Sequence, residues 1–192
     1  MTARKAPVRV AVLVSGGGTN LQALLDALHD SPIARVTRVI SNRADAGALA
    51  RARQAGVPTT VLRNPGDAAE LLAALADADL VVLAGYLKLV PAPVVSRFRG
   101  RMINIHPALL PDFGGPGMYG HRVHAAVLAS GAKQSGATVH LVDEEFDRGE
   151  IIAQEKVPVQ NGDSVDSLAA RVLEAEHRLL PQAVLELARR LA

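Results

Sequence analysis

Apolar and polar positions along this chain alternate between two spacings. Val8-Arg9-Val10-Ala11-Val12-Leu13-Val14 is a near-continuous apolar run, the pattern of a parallel strand covered on both faces. Leu21, Leu24, Leu25 and Leu28 then recur at helical spacing. The same exchange repeats down the chain. Val36 to Ile40 reads as a second strand, Ala44 to Ala55 as a helix ended by Gly56, and Thr59 to Leu62 as a short strand. Ala68 to Leu75 reads as a helix, Leu80 to Ala84 as a strand and Arg101 to Ile105 as another. Val123 to Leu128 is helical. Ser135 to Val142 and Ile151 to Val157 are two strands back to back. The last helix, Ser164 to Leu191, carries Leu168, Val172, Leu173, Leu180 and Leu187; Asp163 or Ser164 caps it, and Pro181 should kink it.

Strands alternating with helices predict an α/β fold, an open, mostly parallel, doubly wound sheet. The back-to-back pair predicts an antiparallel hairpin at its far edge. A length of 192 residues suits one domain with a substantial core. Ligands of such sheets sit outside the carboxyl ends of the strands. Gly18, Gly85 and Asn104 all fall at or just past such ends.

Ser15-Gly16-Gly17-Gly18-Thr19-Asn20 joins the first strand to the first helix. Glycines let a ligand approach the backbone, and free N–H groups at a helix start favour an anion. Three readings compete. A monophosphate site ranks first, with donors from Thr19 and Asn20. A plain tight turn, with Thr19 or Asn20 capping the helix, ranks second. A dinucleotide site is a distant third: the third glycine of G-x-G-x-x-G is missing, and the second strand ends in Ser41-Asn42-Arg43 with no acid.

Asn104 and His106 lie two apart on an extended segment, so they share a face. Pro107 restricts His106 to extended backbone. An amide and an imidazole in one cleft suit the holding and polarising of a carbonyl oxygen; the bland alternative is a capped loop. Pro111 to Gly120 is rich in glycine and reads as a mobile cover. His121 and His124 share a helix face, but no nearby carboxylate completes a metal site, so they read as surface or packing histidines.

Composition removes other classes. Lys and Arg total 21 against 19 Asp and Glu, a net charge of +2, with no basic run for nucleic acid. Aromatic residues make up 3%, too few for base-stacking platforms. There is no cysteine, which excludes thiol catalysis and disulfides. Neither a signal peptide nor an apolar run of transmembrane length is visible, so a soluble cytoplasmic protein is expected.

The assembled motifs carry a resemblance. They are Val-Ser-Gly-Gly-Gly-Thr-Asn-Leu-Gln (14–22), Ser-Asn-Arg-Ala-Asp-Ala (41–46), Val-Leu-Ala-Gly-Tyr (82–86), Asn-Ile-His-Pro-Ala-Leu-Leu-Pro (104–111), Thr-Val-His (138–140), Asp-x-Gly (147–149) and Glu-His-Arg-Leu-Leu-Pro (176–181). From Val8 to about Leu187 the chain resembles the folate-dependent phosphoribosylglycinamide formyltransferases of purine biosynthesis. The resemblance implies a formyltransferase-like Rossmann variant as a single domain over 1–192, with a phosphate-binding half at about 8–100 and a folate and catalytic half at about 101–192.

It also implies roles. Asn104, His106 and Asp147 match the family's catalytic trio. Gly17, Gly18, Thr19 and Asn20 match the loop holding the substrate phosphate, and Glu176 matches an acid on the glycinamide or its ribose. Leu87, Lys88, Leu89 and Val90 match the wall around the pteridine, and Val142, Asp143, Glu144 and Glu145 the folate-binding loop. The co-substrate implied is 10-formyltetrahydrofolate, with no metal, no nucleic acid and no membrane, in a monomer or homodimer.

The reaction implied is formyl transfer to glycinamide ribonucleotide, with Asn104 and a protonated His106 stabilising the formyl oxygen and Asp147 favouring the imidazolium. A relative of the methionyl-tRNA formyltransferase kind is the first rival. Against it stand the missing appended nucleic-acid domain and the phosphate loop. A non-catalytic nucleotide sensor is the second. The chain departs from the family pattern at Ala108, where serine is usual, at Lys88, where arginine is common, at Leu173, and in a longer segment from Phe113 to His121.

Overall fold

A computed structural model describes residues 6–191. Strand β1 (Val8–Val14) leads to helix α1 (Thr19–Leu28), and β2 (Ala34–Ser41) to α2 (Gly47–Gln54). Next come β3 (Thr59–Val61), α3 (Ala68–Ala74), β4 (Leu80–Leu83), α4 (Ala92–Arg97) and β5 (Met102–His106). Helix α5 (His121–Ala129), strands β6 (Gln134–Leu141) and β7 (Ile151–Pro158), and α6 (Val165–Leu191) complete the order.

One seven-stranded sheet runs β3-β2-β1-β4-β5-β6-β7. Its first five strands are parallel, while β5–β6 and β6–β7 pair antiparallel, so the expected hairpin forms the far edge. The chain walks from β1 to β2 and β3, then crosses to the other side of β1 for β4. That reversal opens a crevice at the carboxyl ends of β1 and β4.

The apolar run of β1 serves both faces. Val10, Val12 and Val14 pack with Leu21, Leu24 and Leu25 of α1 and with Leu168, Val172 and Leu180 of α6. Ala11 and Leu13 pack the opposite way, with Leu71 of α3 and Val94 of α4. Period 2 in the strands and period 3.6 in the helices therefore meet in two apolar layers, one on each face of the sheet.

Several local expectations change. Neither Thr19 nor Asn20 caps α1: Gly18 is the cap, left-handed at φ 77°, with no side-chain cap bond. A Cβ on Gly18 would also come within 2.5 Å of Ala48 Cβ, so only glycine fits. Helix α2 begins at Gly47, three residues later than expected, after an extended Ala46. Strand β5 runs one residue further, to His106. Ser164 rather than Asp163 caps α6, its Oγ accepting from Ser167 N at 3.1 Å. The helix continues unbroken through the buried Pro181. No described helix is long and apolar enough to cross a membrane.

Candidate functional site

Strand β5 ends where the parallel sheet gives way to the antiparallel hairpin, and its register with β6 sets Asn104 opposite His140 and His106 opposite Thr138. Asn104 and His140 therefore point from adjacent strands to the same face. Asp147 arrives from the β6–β7 loop in the left-handed region, φ 58°, which a short polar side chain tolerates.

Three of these side chains meet at one oxygen. Asp147 Oδ1 lies 3.4 Å from Asn104 Nδ2, 3.5 Å from His106 Nδ1 and 3.5 Å from His140 Nε2. Its other oxygen, Oδ2, accepts from the Gly115 backbone N–H at 2.9 Å. Side-chain exposure is 4% for His106, 3% for His140 and 8% for Asp147, so these interactions act largely out of water.

The backbone fixes both imidazoles. His106 Nε2 lies 2.8 Å from the Phe113 carbonyl, which only accepts, so Nε2 carries the proton and Nδ1 faces Asp147. His140 Nδ1 donates to Leu141 O at 2.8 Å, leaving Nε2 to accept from Asn104 Nδ2 at 3.0 Å. Both amide hydrogens of Asn104 are thus engaged, one on His140 and a more distant one on Asp147.

Burial pushes the His106 pKa below the ordinary histidine value; Asp147 and the Phe113 carbonyl pull it back up without prevailing. Desolvation outweighs the carboxylate, so the site favours the neutral form of His106. Burial also acts on Asp147, raising it, but the His140 contact, the His106 imidazole and the Gly115 N–H together hold its carboxyl below the usual range.

The loop after His106 is anchored from beneath. Thr138 Oγ1 donates to Ala108 O at 2.6 Å and accepts from Leu110 N at 3.1 Å and Gln154 Nε2 at 2.9 Å. Gln154 Nε2 also donates to Leu110 O at 2.9 Å. Ala108 is fully buried and its backbone carbonyl carries the tie.

Asn104, His106, His140 and Asp147 face a cavity of about 440 Å³. Of the expected residues, Asn20, Leu87, Lys88, Leu89, Val90, Asn104, His106, Val142, Asp143, Glu145, Asp147 and Glu176 line it. Gly17, Gly18, Thr19 and Glu144 do not. Gly17 and Thr19 are exposed, and Glu144 lines a separate groove with Val95 and Arg99. The glycine loop is nonetheless built for amide donors, because helix α2 occupies its carbonyls. Ala48 N donates to Gly16 O at 3.0 Å, and Arg51 Nε donates to Gly17 O at 2.9 Å.

Glu176 is buried on α6 and its carboxyl is pushed up to about 7 by desolvation, which the neighbouring Asn20 side chain offsets in part. Asn20 Oδ1 is itself buried without a partner. Leu87 and Leu89 are exposed apolar side chains on the cavity wall, while Val90 is buried.

Sequence reasoning missed three participants: His140, the Phe113 carbonyl and the Gly115 amide. His140 carried a signal in Thr-Val-His, since strand pairing with Asn104 gives that histidine a position. The two backbone groups carry none. His121 is exposed and lies 3.3 Å from Asp166 Oδ1, whereas His124 is buried in the cavity wall with Nδ1 unpartnered. Among the described residues no group of three or more His, Asp or Glu side chains is arranged to hold a metal ion.

Comparison with known proteins agrees on one family. The formyl transferase family model matches residues 8–184. The chloroplastic phosphoribosylglycinamide formyltransferase of Arabidopsis thaliana is 45% identical over 186 residues, covering 92% of this chain and 64% of the plant protein. The phosphoribosylglycinamide formyltransferase of Haemophilus influenzae is 42% identical over 182 residues, covering 90% of this chain and 84% of that protein. The crystal structure of phosphoribosylglycinamide formyltransferase from Anaplasma phagocytophilum superposes with a TM-score of 0.89 at 40% identity, covering 95% of this chain and 87% of that one. The chain thus spans less than two thirds of the Arabidopsis relative's length and most of the other two.

Proposed function

Since the chain belongs to the formyl transferase family, and within it to the phosphoribosylglycinamide formyltransferases, we propose that it transfers the formyl group of 10-formyltetrahydrofolate to the amine of glycinamide ribonucleotide. The products are formylglycinamide ribonucleotide and tetrahydrofolate, in de novo purine biosynthesis. One observation carries the reading: Asn104, His106 and Asp147 converge on a cavity whose wall also includes Leu87 to Val90 and, from other elements, Asn20 and Glu176.

The cavity and the glycine turn that leads into it at Asn20 suit two different ligands. Leu87, Leu89 and Val90 offer apolar surface and backbone groups to a flat pteridine, with Val142, Asp143 and Glu145 beside them and Glu144 in the adjoining groove. The amides of Gly17 and Gly18, with Thr19 and Asn20, suit a phosphate at the start of α1. Glu176 faces the ribose or the glycinamide.

The site residues divide the work as charge moves. The neutral amine attacks the formyl carbon, a C–N bond forms, and the bond to the folate nitrogen breaks. Asn104 gives up its longer contact, the 3.4 Å one to Asp147, and turns that N–H to the oxygen on which charge develops. His106, neutral at rest with a free Nδ1, takes up the amine's proton. Asp147, 3.5 Å from that nitrogen, then stabilises the imidazolium while the proton passes to the departing folate nitrogen.

We read the chain as one formyltransferase unit over 1–192, cytoplasmic and either monomeric or homodimeric. The deciding experiment is an assay for tetrahydrofolate release from 10-formyltetrahydrofolate. Release that requires glycinamide ribonucleotide is expected. Release that requires methionyl-tRNA instead, or none with either acceptor, overturns the reading.

A further inference from the structure

Ser15 stands at the crevice where the sheet changes direction, between the carboxyl ends of β1 and β4. It is 2% exposed and belongs to no catalytic contact. Its backbone N–H donates to Gly85 O at 3.1 Å, across the crevice. Its hydroxyl donates to Asn42 Oδ1 at 2.6 Å and accepts from the backbone N–H of Leu87 at 2.9 Å. One side chain therefore joins three loops: the glycine turn that begins at Gly16, the end of β2 at Asn42, and the loop that carries Leu87 to Val90.

The polarity of this relay is set by chemistry. Asn42 Oδ1 can only accept, so the hydroxyl hydrogen points to Asn42 and an oxygen lone pair is left for Leu87. A hydroxyl that donates is also a better acceptor, so the two bonds strengthen each other in a buried setting. Leu87 itself is 48% exposed, so its own side chain does little to fix its backbone.

We propose that Ser15 is a positioning residue for the formyl donor: its hydroxyl holds the Leu87 backbone in register with the glycine turn. This rests on the reading of Leu87 to Val90 as the donor's wall. A merely structural serine would lower the folded fraction, and with it apparent kcat, leaving both KM values alone; a positioning serine acts on the donor KM.

The variants are Ser15→Ala, Asn42→Ala and the pair together, with two readouts. Without substrates, hydrogen exchange at the Leu87 amide is followed by NMR. With substrates, KM for each and kcat are measured. One neutral hydrogen bond corresponds to about a 2- to 12-fold effect. Ser15→Ala is expected to speed Leu87 exchange and to raise the KM for 10-formyltetrahydrofolate in that range, with kcat and the ribonucleotide KM changing less than twofold. Asn42→Ala is expected to shift the same KM less, and the double variant no more than Ser15→Ala. Unchanged exchange, an unchanged donor KM, or equal shifts in all three constants overturns the proposal. Failure of the wild-type chain to release tetrahydrofolate sinks the functional reading instead, and the exchange experiment still reports on the Ser15 tie.

Discussion

Asp147 Oδ1 lies 3.5 Å from His106 Nδ1, yet the imidazole beside this carboxylate is held below its ordinary pKa. Desolvation of the ring exceeds the pull of the anion. The pair is thus set to become an ion pair when a proton arrives, instead of being one at rest.

That order of events fixes a pH profile. His106 must be neutral in the free enzyme, so kcat/KM should fall on the acid side with a midpoint below about 6.5. Asp147 raises the imidazole, so Asp147→Asn should move this midpoint lower still and cut kcat by about 10²-fold or more. The asparagine keeps an acceptor for Gly115 N and tolerates the left-handed backbone. An acid limb that moves upward in the variant contradicts the assignment.

Asn104→Ala and His106→Ala should each lower single-turnover rates by ~10²–10³ while leaving folate binding largely intact. Binding of a non-reactive folate, measured by calorimetry, separates the two effects. A near-normal single-turnover rate in either variant removes that residue from the chemistry.

Glu176 gives a stability signature of its own. Its folded-state pKa is raised to about 7, so the folded state favours the proton. Its stabilising contribution is full below the unfolded value and is lost as pH rises through about 7. Glu176→Gln has no charge to bury, so its unfolding free energy should gain on the wild type between pH 5 and pH 8, by up to roughly 3 kcal/mol, with Tm rising in step. The same variant should raise the KM for the ribonucleotide. A Tm difference that is flat across this range would argue that the carboxyl reaches water.

Thr138 is tested by a near-isosteric change. Thr138→Val keeps the volume and deletes the hydroxyl that serves Ala108 O, Leu110 N and Gln154, leaving buried polar groups unpaired. A loss of about 1–3 kcal/mol in urea unfolding is expected. Because His106 precedes this loop, kcat should fall more than either KM changes. Unchanged kcat with the full stability loss would detach the loop from the site.

Much of this was legible in the chain. The apolar run of β1 and the helical spacing of α1 gave the α/β alternation, and the two-residue spacing of Asn104 and His106 gave their shared face. His140 lay beyond that reach as a site residue, because its partnership with Asn104 depends on the β5–β6 register, a long-range property. The lowered pKa of His106 lay out of reach for a related reason: a nearby carboxylate is visible in a motif, but the depth of burial is not. The cap of α1 went to Gly18 because Ala48, from a different helix, leaves no room for a Cβ there.

The antiparallel turn of the sheet at β6 has a consequence for variation in this protein. Asn104 and His140 are held by a ladder of backbone bonds, while the segment from Phe113 to Gly120 hydrogen-bonds to the centre through one carbonyl and one amide. A change of length in that segment leaves the pair in place, because the ladder keeps its geometry without help from the loop; it is felt instead at the cavity wall, which Gly115, Gly117, Met118, Tyr119 and Gly120 line.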